Sequence, residues 1–336
     1  MAKLNIAVIG AGYWGPNLIR NVAQIPSAQL HTICDTDQRR LAQIAQQYAP
    51  LHQTSEPSEV FSRPDIDGVI IATPAHTHFE ITQQALEAGK HVLVEKPLAL
   101  TSNDARELIA LAESQHCILM VGHVFEYNPS VHKLRDLVKS GELGQIYYIY
   151  STRVNLGKIR DDLNAFWNLA AHDVSIINML LDEMPRRVAA HGFSYLQPAL
   201  EDVVFAVLEY ESGVAAHIHT SWLDPNKVRQ MTVVGEKKMV VYDDVSDNPI
   251  TIYDKGAAWV EDASSFGIHR LQTFTGDIYI PRLPTVEPLR MEVEHFLDCI
   301  RTGETPLSDG YDGLRVVQVL EAVSESLRKK GSPVEL

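Results

Sequence analysis

Strands alternate with helices up to Gly122, a glycine-rich turn follows the first strand, and strands dominate from Gln145 onward. These three observations predict a two-part α/β chain. A doubly wound parallel sheet comes first, then an α+β domain on a large, open, mostly antiparallel sheet. At 336 residues the chain exceeds the ~250–300 at which one core usually stops growing, so it divides into residues 1–124 and 125–336.

Lys3 to Ile9 is rich in Ile and Val and reads as a strand. It runs into Gly10-Ala11-Gly12-Tyr13-Trp14-Gly15, followed by a helical pattern (Leu18, Ile19, Val22, Ile25) that stops at Pro26. Strand, G-x-G-x-x-G, helix is the context a dinucleotide fingerprint requires. Gly10 allows the tight turn, Gly12 lets the backbone approach a pyrophosphate, and Gly15 lets helix and strand pack closely. Phosphates would sit on the helix N-terminus, where free N–H groups favour anions. Tyr13 and Trp14 lie inside that turn and join the cofactor candidates. A second strand, Leu30 to Cys34, ends in Asp35, 25 residues beyond the first glycine. An acid there accepts hydrogen bonds from ribose hydroxyls and repels a 2′-phosphate, which favours NAD over NADP. Arg39 and Arg40 follow closely, and an arginine can accommodate that phosphate.

The alternation continues through a helix at Leu41–Tyr48, a strand at Asp67–Ala72, a helix at Thr77–Ala88 closed by Gly89, and a short apolar strand at Val92–Val94. That strand stops in Glu95-Lys96-Pro97. Ligands of open α/β sheets bind beyond the carboxyl ends of the strands, so Lys96 stands at the mouth of the crevice. Alone, such a tripeptide reads as a surface turn with a solvated ion pair. A helix at Thr101–Gln115 and a strand at Cys117–Val121 complete the first half.

After Gly122 the pattern changes. A helix at Pro129–Ser140 precedes strands at 146–154, 188–193, 203–209, 215–222, 231–234, 239–242 and 250–253. An antiparallel sheet with one polar and one apolar face is expected from their alternation. Such an open sheet suits an oligomer interface, so a homodimer or homotetramer is expected. Helices at 286–301 and 309–330 close the chain; 257–288 reads as irregular, a loop or an arm to a neighbouring subunit. Between the first two strands lies an amphipathic helix, about Leu163 to Leu181. Asn168 and His172 are four apart and share a face of it, while Ile176, Ile177 and Leu180 anchor other azimuths. A histidine there is either a hydrogen-bonded core residue or, beside a nicotinamide cofactor, an acid–base group.

Composition narrows the classes. No apolar run approaches the ~18 residues a membrane span needs, and the N-terminus enters a strand at once, leaving no room for a signal peptide. Cys34, Cys117 and Cys299 are far apart and odd in number. They make neither a disulfide framework nor a metal knuckle, and they fit a reducing cytoplasm. A net charge of −14 argues against nucleic acid as partner. His217 and His219 alternate on a strand, as His76 and His78 do if extended, yet no third ligand accompanies either pair; no metal is expected.

Together these residues resemble the glucose–fructose oxidoreductase and inositol dehydrogenase family, Gfo/Idh/MocA. The likeness rests on the glycine turn, Ala72-Thr73-Pro74-x-x-x-His78, Glu95-Lys96-Pro97 and Asn168-x-x-x-His172-Asp173. Gly122-His123-x-Phe125-x-Tyr127-Asn128-Pro129, His217-Ile218-His219-x-Ser221-Trp222 and Met239 to Asp244 look like the branch acting on nucleotide sugars. The resemblance implies oxidation of the C3 hydroxyl of a UDP-sugar, UDP-N-acetylglucosamine or its glucuronic acid relative, ahead of an aminotransferase. Inositol oxidation, keto-sugar reduction and NAD-dependent glycosidase chemistry are the family's alternatives. It further implies NAD as cofactor, His172 as base, Lys96 holding the reacting hydroxyl and Glu95 positioning Lys96. Thr73, Pro74 and His78 would line the cofactor side, and Tyr127 and Asn128 would reach the sugar or a phosphate. Arg153, Lys158 and Arg160 are diphosphate candidates, with solvated surface charge as the alternative for each. The family's helix motif begins with aspartate; Asn168 can hydrogen-bond a hydroxyl there but carries no proton.

Overall fold

The computed structural model describes residues 2–157, 159–261 and 269–336. Its first elements are β1 (Leu4–Ile9), α1 (Gly15–Gln24), β2 (Ala28–Cys34), α2 (Gln38–Tyr48), β3 (His52–Thr54), α3 (Pro57–Phe61), β4 (Gly68–Ile71), α4 (His78–Glu87), β5 (His91–Glu95), α5 (Ser102–Ser114) and β6 (Leu119–Gly122). The six strands form one sheet in the order β3-β2-β1-β4-β5-β6, every pairing parallel. Helices on both faces of such a sheet explain why β4 and β6 are buried along their whole length. The strand order reverses between β1 and β4, which sets the topological switch point there. The helix expected from Leu41 begins earlier, at Gln38, because the Asp37 carboxylate caps it, accepting from the N–H groups of Arg39 (3.0 Å) and Arg40 (3.2 Å).

The remaining elements are α6 (Pro129–Lys139), β7 (Ile146–Val154), α7 (Ala171–Leu181), β8 (Arg187–Phe193), β9 (Val203–Glu209), β10 (Ala215–Ser221), β11 (Val228–Gly235), β12 (Met239–Asp243), β13 (Ile250–Glu261), β14 (His269–Tyr279), α8 (Pro288–Thr302), α9 (Gly310–Arg328) and β15 (Val334–Glu335). Nine strands form a second sheet, β14-β13-β12-β11-β7-β10-β9-β8-β15, antiparallel except for the β7–β10 pair. Strict alternation in β9 buries Val204, Ala206 and Leu208 and turns Phe205 and Val207 outward.

Two findings differ from the sequence reading. Residues expected to be irregular after 257 continue β13 and form β14, pairing along Lys255–Glu261 with His269–Thr275. Residues 272–279 are exposed on both faces and so carry no buried alternation from which a strand could be read; Lys158 and residues 262–268 lie outside the described residues. The chain also divides discontinuously, into 1–127 with 286–318, and 128–285 with 319–336. α8 belongs to the first unit because Leu289, Val293, Phe296 and Leu297 complete the apolar cluster of Ile6, Leu18, Val22, Leu93 and Met120. A helix buries its apolar stripe where a core has room, whatever its place in sequence.

Candidate active site

In the first unit the glycine turn is built as its spacing implies. Gly10 has φ +97°, and a Cβ there would stand 2.5 Å from the Ala72 carbonyl oxygen; at Gly15 it would stand 2.0 Å from that of Gly10. Neither position admits a side chain. Gly12 is different, since a Cβ would meet only the Arg40 guanidinium, at 3.9 Å. Its missing side chain leaves space for a ligand rather than for protein.

The turn opens on a cleft of about 400 Å³ at the carboxyl ends of β1, β2 and β4, lined by Gly10, Gly12, Asp35, Arg40, Thr73 and Pro74 among others. Asp35 is buried and braced: Oδ2 accepts from the Ala11 N–H at 2.7 Å and Oδ1 from the Asp37 N–H at 2.8 Å. Arg40 Nη1 lies 3.3–3.4 Å from both Asp35 oxygens. The cleft therefore offers a held carboxylate and a guanidinium side by side, an acceptor for ribose hydroxyls beside a donor for phosphate oxygens. Thr36, Ser55, Pro57, Thr77 and Ile81 line it too, and sequence reasoning missed them. The signal available was their position just after strand ends. Tyr13 and Trp14 are exposed on the turn.

His78, expected to line the cofactor side, is instead buried. Its Nδ1 sits 2.7 Å from the Pro97 carbonyl and its Nε2 3.0 Å from that of Thr73. It ties the turn after β4 to the turn after β5, and so places Thr73 and Lys96 by holding backbone. His76 and His78 do not alternate, because Ala75–Thr77 is a helical turn running into α4.

Glu95 and Lys96 end β5 and are half-buried. Glu95 Oε2 accepts from the Lys96 N–H at 3.3 Å, and the Trp14 indole also donates to this carboxyl. Burial pushes Glu95 up to about 7 against the pull of the Lys96 charge. Behind Lys96, burial and the Lys96 charge push His123 down to about 3, so its imidazole is neutral. Tyr127 does not face an open cleft: its hydroxyl lies 3.0 Å from His295 Nδ1 and 3.3 Å from Ser308 Oγ, within the core of this unit.

The second unit holds the remaining candidates. The expected helix at 163–181 starts as a π turn, Phe166–Ala170, before α7. Asn168 lies in the π turn and His172 in the first turn of α7, both half-buried. One-turn π segments recur at functional sites, where the extra residue re-aims a side chain. Asn164, which sequence reasoning missed, starts this turn by accepting from the Trp167 N–H at 3.0 Å.

Arg153 is not placed for a diphosphate. It is buried and donates Nε to Asp173 Oδ2 at 2.7 Å and Nη2 to Oδ1 at 3.2 Å, while Ser151 Oγ donates to Oδ1 at 2.6 Å. Burial works against the guanidinium charge and Asp173 more than offsets it, raising the Arg153 pKa. Arg153 thus fixes the residue next to His172. Arg160 pairs with Asp162 at 2.7 Å. Asn128 is occupied as well, capping α6 from Ser130 N–H (2.8 Å) and donating to the Tyr242 hydroxyl (3.3 Å). Among the described residues no group of three or more His, Cys, Asp or Glu side chains is placed to hold a metal.

A glycine turn on a switch point, a braced acid after β2 and a lysine after β5 define a dinucleotide-binding oxidoreductase. Residues 4–123 match the oxidoreductase family Gfo/Idh/MocA in its NAD-binding Rossmann fold, and residues 131–241 match the Gfo/Idh/MocA C-terminal domain. The chain belongs to the Gfo/Idh/MocA family, and its first unit binds NAD. It is 29% identical to a scyllo-inositol 2-dehydrogenase (NAD(+)) of Bacillus subtilis, covering 99% of this chain and 96% of that protein. It is 28% identical to a UDP-N-acetylglucosamine 3-dehydrogenase of Acidithiobacillus ferrooxidans, over 98% of this chain and 100% of that one. A solved structure of the enzyme of that name and organism superposes with a TM-score of 0.82 at 26% identity, covering 98% of this chain and 99% of the other. Levoglucosan dehydrogenase in complex with NADH shares the fold at a TM-score of 0.83 and 21% identity, each chain covered to 99%. Among the described residues no helix is long and apolar enough to cross a membrane.

Proposed function

We propose that this protein is a cytoplasmic NAD-dependent nucleotide-sugar 3-dehydrogenase that oxidises the C3 hydroxyl of UDP-N-acetylglucosamine, leaving a 3-keto sugar for an aminotransferase. The observation that carries the reading is the end-to-end similarity to an enzyme of that name, 98% of this chain against the whole of the other. An equal similarity to an inositol dehydrogenase supports a second reading, oxidation of an inositol.

Bound NAD supplies the hydride acceptor; the protein supplies orientation and electrostatics. As the carbon gives up its hydride, the hydroxyl must lose its proton, and a ring nitrogen of His172 takes it as general base. Lys96 donates to the reacting oxygen and stabilises the charge that develops there. Asn168 hydrogen-bonds a sugar hydroxyl without exchanging protons. Asp173, held by Arg153, fixes the first turn of α7 and with it His172.

We also propose a homodimer or homotetramer formed by the outer face of the nine-stranded sheet. Its support is a row of exposed side chains on one face, Tyr148 and Tyr150 of β7 and Phe205 and Val207 of β9, bridged by the intervening β10, whose His219 stacks on Phe205 at 4.5 Å. Contiguous apolar surface of this kind marks interaction sites. Light scattering on a Phe205→Glu variant should show smaller particles than the parent.

The deciding experiment is NADH absorbance with purified protein, NAD and, in turn, UDP-N-acetylglucosamine, its glucuronic acid analogue and the inositols, with an aminotransferase added to pull the equilibrium forward. NADH with a UDP-sugar alone supports the first reading, and NADH with an inositol alone supports the second. No net NADH from any of them, despite NAD binding, points to keto-sugar reduction or to the glycosidase chemistry that regenerates its cofactor.

A further inference from the structure

Arginines of the second unit recurrently present one edge of the guanidinium, Nε with Nη2, to a carboxylate. Arg153 does so to Asp173 and Arg160 to Asp162. Arg229 in β11 is held differently. Its side chain makes one hydrogen bond, from Nη1 to Asp244 Oδ2 at 3.2 Å. Its Nε and Nη2 meet no acceptor among the described residues, and the side chain is 35% exposed, against 4% for Arg153.

Strand register places this open edge. Arg229 lies directly opposite Arg153 of β7, and Met231 opposite Ser151. Directly opposed residues share a face of the sheet. Ser151 and Arg153 both bond Asp173, so this is the face on which α7 packs, with His172 in its first turn. Like charges opposite one another destabilise a sheet unless each is matched. Asp173 matches Arg153 through two nitrogens, whereas Asp244 meets Arg229 through one. Asp244 is itself fixed: its Oδ1 accepts from the Tyr242 hydroxyl at 3.0 Å, and its N–H donates to the Arg229 carbonyl at 2.9 Å. Arg229 is therefore anchored at one corner, with the far edge of its guanidinium unsaturated.

We infer that Arg229 is an anion-binding residue of the substrate site, its Nε–Nη2 edge taking two oxygens of the diphosphate of a nucleotide sugar or of a carboxylate at C6 of the sugar. A planar fork recognises such oxyanions at two points, as an ammonium cannot. The anchor on Asp244 orders that fork before a ligand arrives, which lowers the cost of binding. Arg153 and Arg160 cannot serve in this way while their own acids close the same edge. The inference rests on the nucleotide-sugar reading, since an inositol brings no anionic group.

The test is calorimetric titration of the NADH-loaded protein with UDP, UDP-N-acetylglucosamine and its glucuronic acid analogue, on the parent, Arg229→Met and Arg229→Lys. If the fork takes the diphosphate, Arg229→Met should weaken every one of these ligands by at least about tenfold, the scale of a lost charged hydrogen bond. If it takes the carboxylate, the glucuronic acid analogue alone should weaken by that factor. Arg229→Lys keeps a charge beside Asp244 but loses the fork, so it should weaken the same ligands less severely. NADH affinity should stay that of the parent in both variants. Parent-like affinity of Arg229→Met for every ligand overturns the inference and leaves the nucleotide-sugar reading in place. Should that variant fail to fold, parent-like affinity in Arg229→Lys overturns it instead. A parent that binds NADH but neither UDP nor either UDP-sugar refutes the nucleotide-sugar reading, and the inference with it.

Discussion

The two units use polar side chains in opposite ways. In the first, the candidate cofactor groups stand at strand ends around one cleft: the glycine turn after β1, Asp35 after β2, and Thr73 and Pro74 after β4. In the second, the conspicuous polar residues turn inward. Arg153 is committed to Asp173, and Asn128 joins Tyr242, whose hydroxyl donates to Asp244 at 3.0 Å. The first arrangement follows from backbone topology, so one segment suffices to foretell it. The second depends on partners many residues away, and a charged residue in a plausible place says little about whether its charge is available.

The largest effect should come from the inward side of this contrast. Arg153→Met leaves Asp173 buried without its partner, a loss of about 3–5 kcal/mol in unfolding free energy, read by denaturant titration. Were Arg153 a diphosphate ligand, the variant would keep its stability and raise only the substrate KM. The cofactor side should respond without unfolding. Asp35→Ala should shift the ratio of NAD to NADP affinity toward NADP by at least about tenfold, roughly what a charged hydrogen bond contributes; direct titration of both cofactors checks it. An unchanged ratio would pass the selecting role from Asp35 to Arg40.

The smallest effect concerns Asp312 in α9. Burial raises its carboxyl from 3.8 to about 6; a hydrogen bond with Glu126 and the Arg315 charge pull it down, and Asp309 pushes it up. A group whose pKa rises on folding favours the fold below its ordinary value and loses that contribution as pH passes through the raised one. Thermal melts between about pH 4 and pH 7 should therefore show the parent losing more stability than Asp312→Asn. Parallel curves would mean that Asp312 is not perturbed.

What was legible follows the same division. The parallel sheet, the glycine turn and the Glu95-Lys96-Pro97 turn are written in local pattern, because buried strands are continuous apolar runs and Gly10 and Gly15 sit where no Cβ fits. His78 reads from the sequence as lining the cofactor side, whereas its buried ring bridges two backbone carbonyls that come from separate turns. Tyr127 looked like a substrate residue beside Asn128 until His295 and Ser308, over 160 residues on, claimed its hydroxyl. The π turn at Phe166–Ala170 leaves the hydrophobic pattern intact and so cannot be told from an α-helix by periodicity. Arg229 gave no signal at all, for a charged residue near a strand end is ordinarily solvated.

The central claim is that cofactor binding and proton chemistry are carried by separable residues, Asp35 and the glycine turn for the one, Lys96 and His172 for the other. The most direct test measures NADH affinity and sugar-dependent turnover on the same preparations of Lys96→Met and His172→Ala. The account predicts NADH affinity within a fewfold of the parent and turnover lower by at least ~10², the scale of general acid–base assistance. Turnover comparable to the parent in either variant, with its substitution verified, would contradict the role given to that residue.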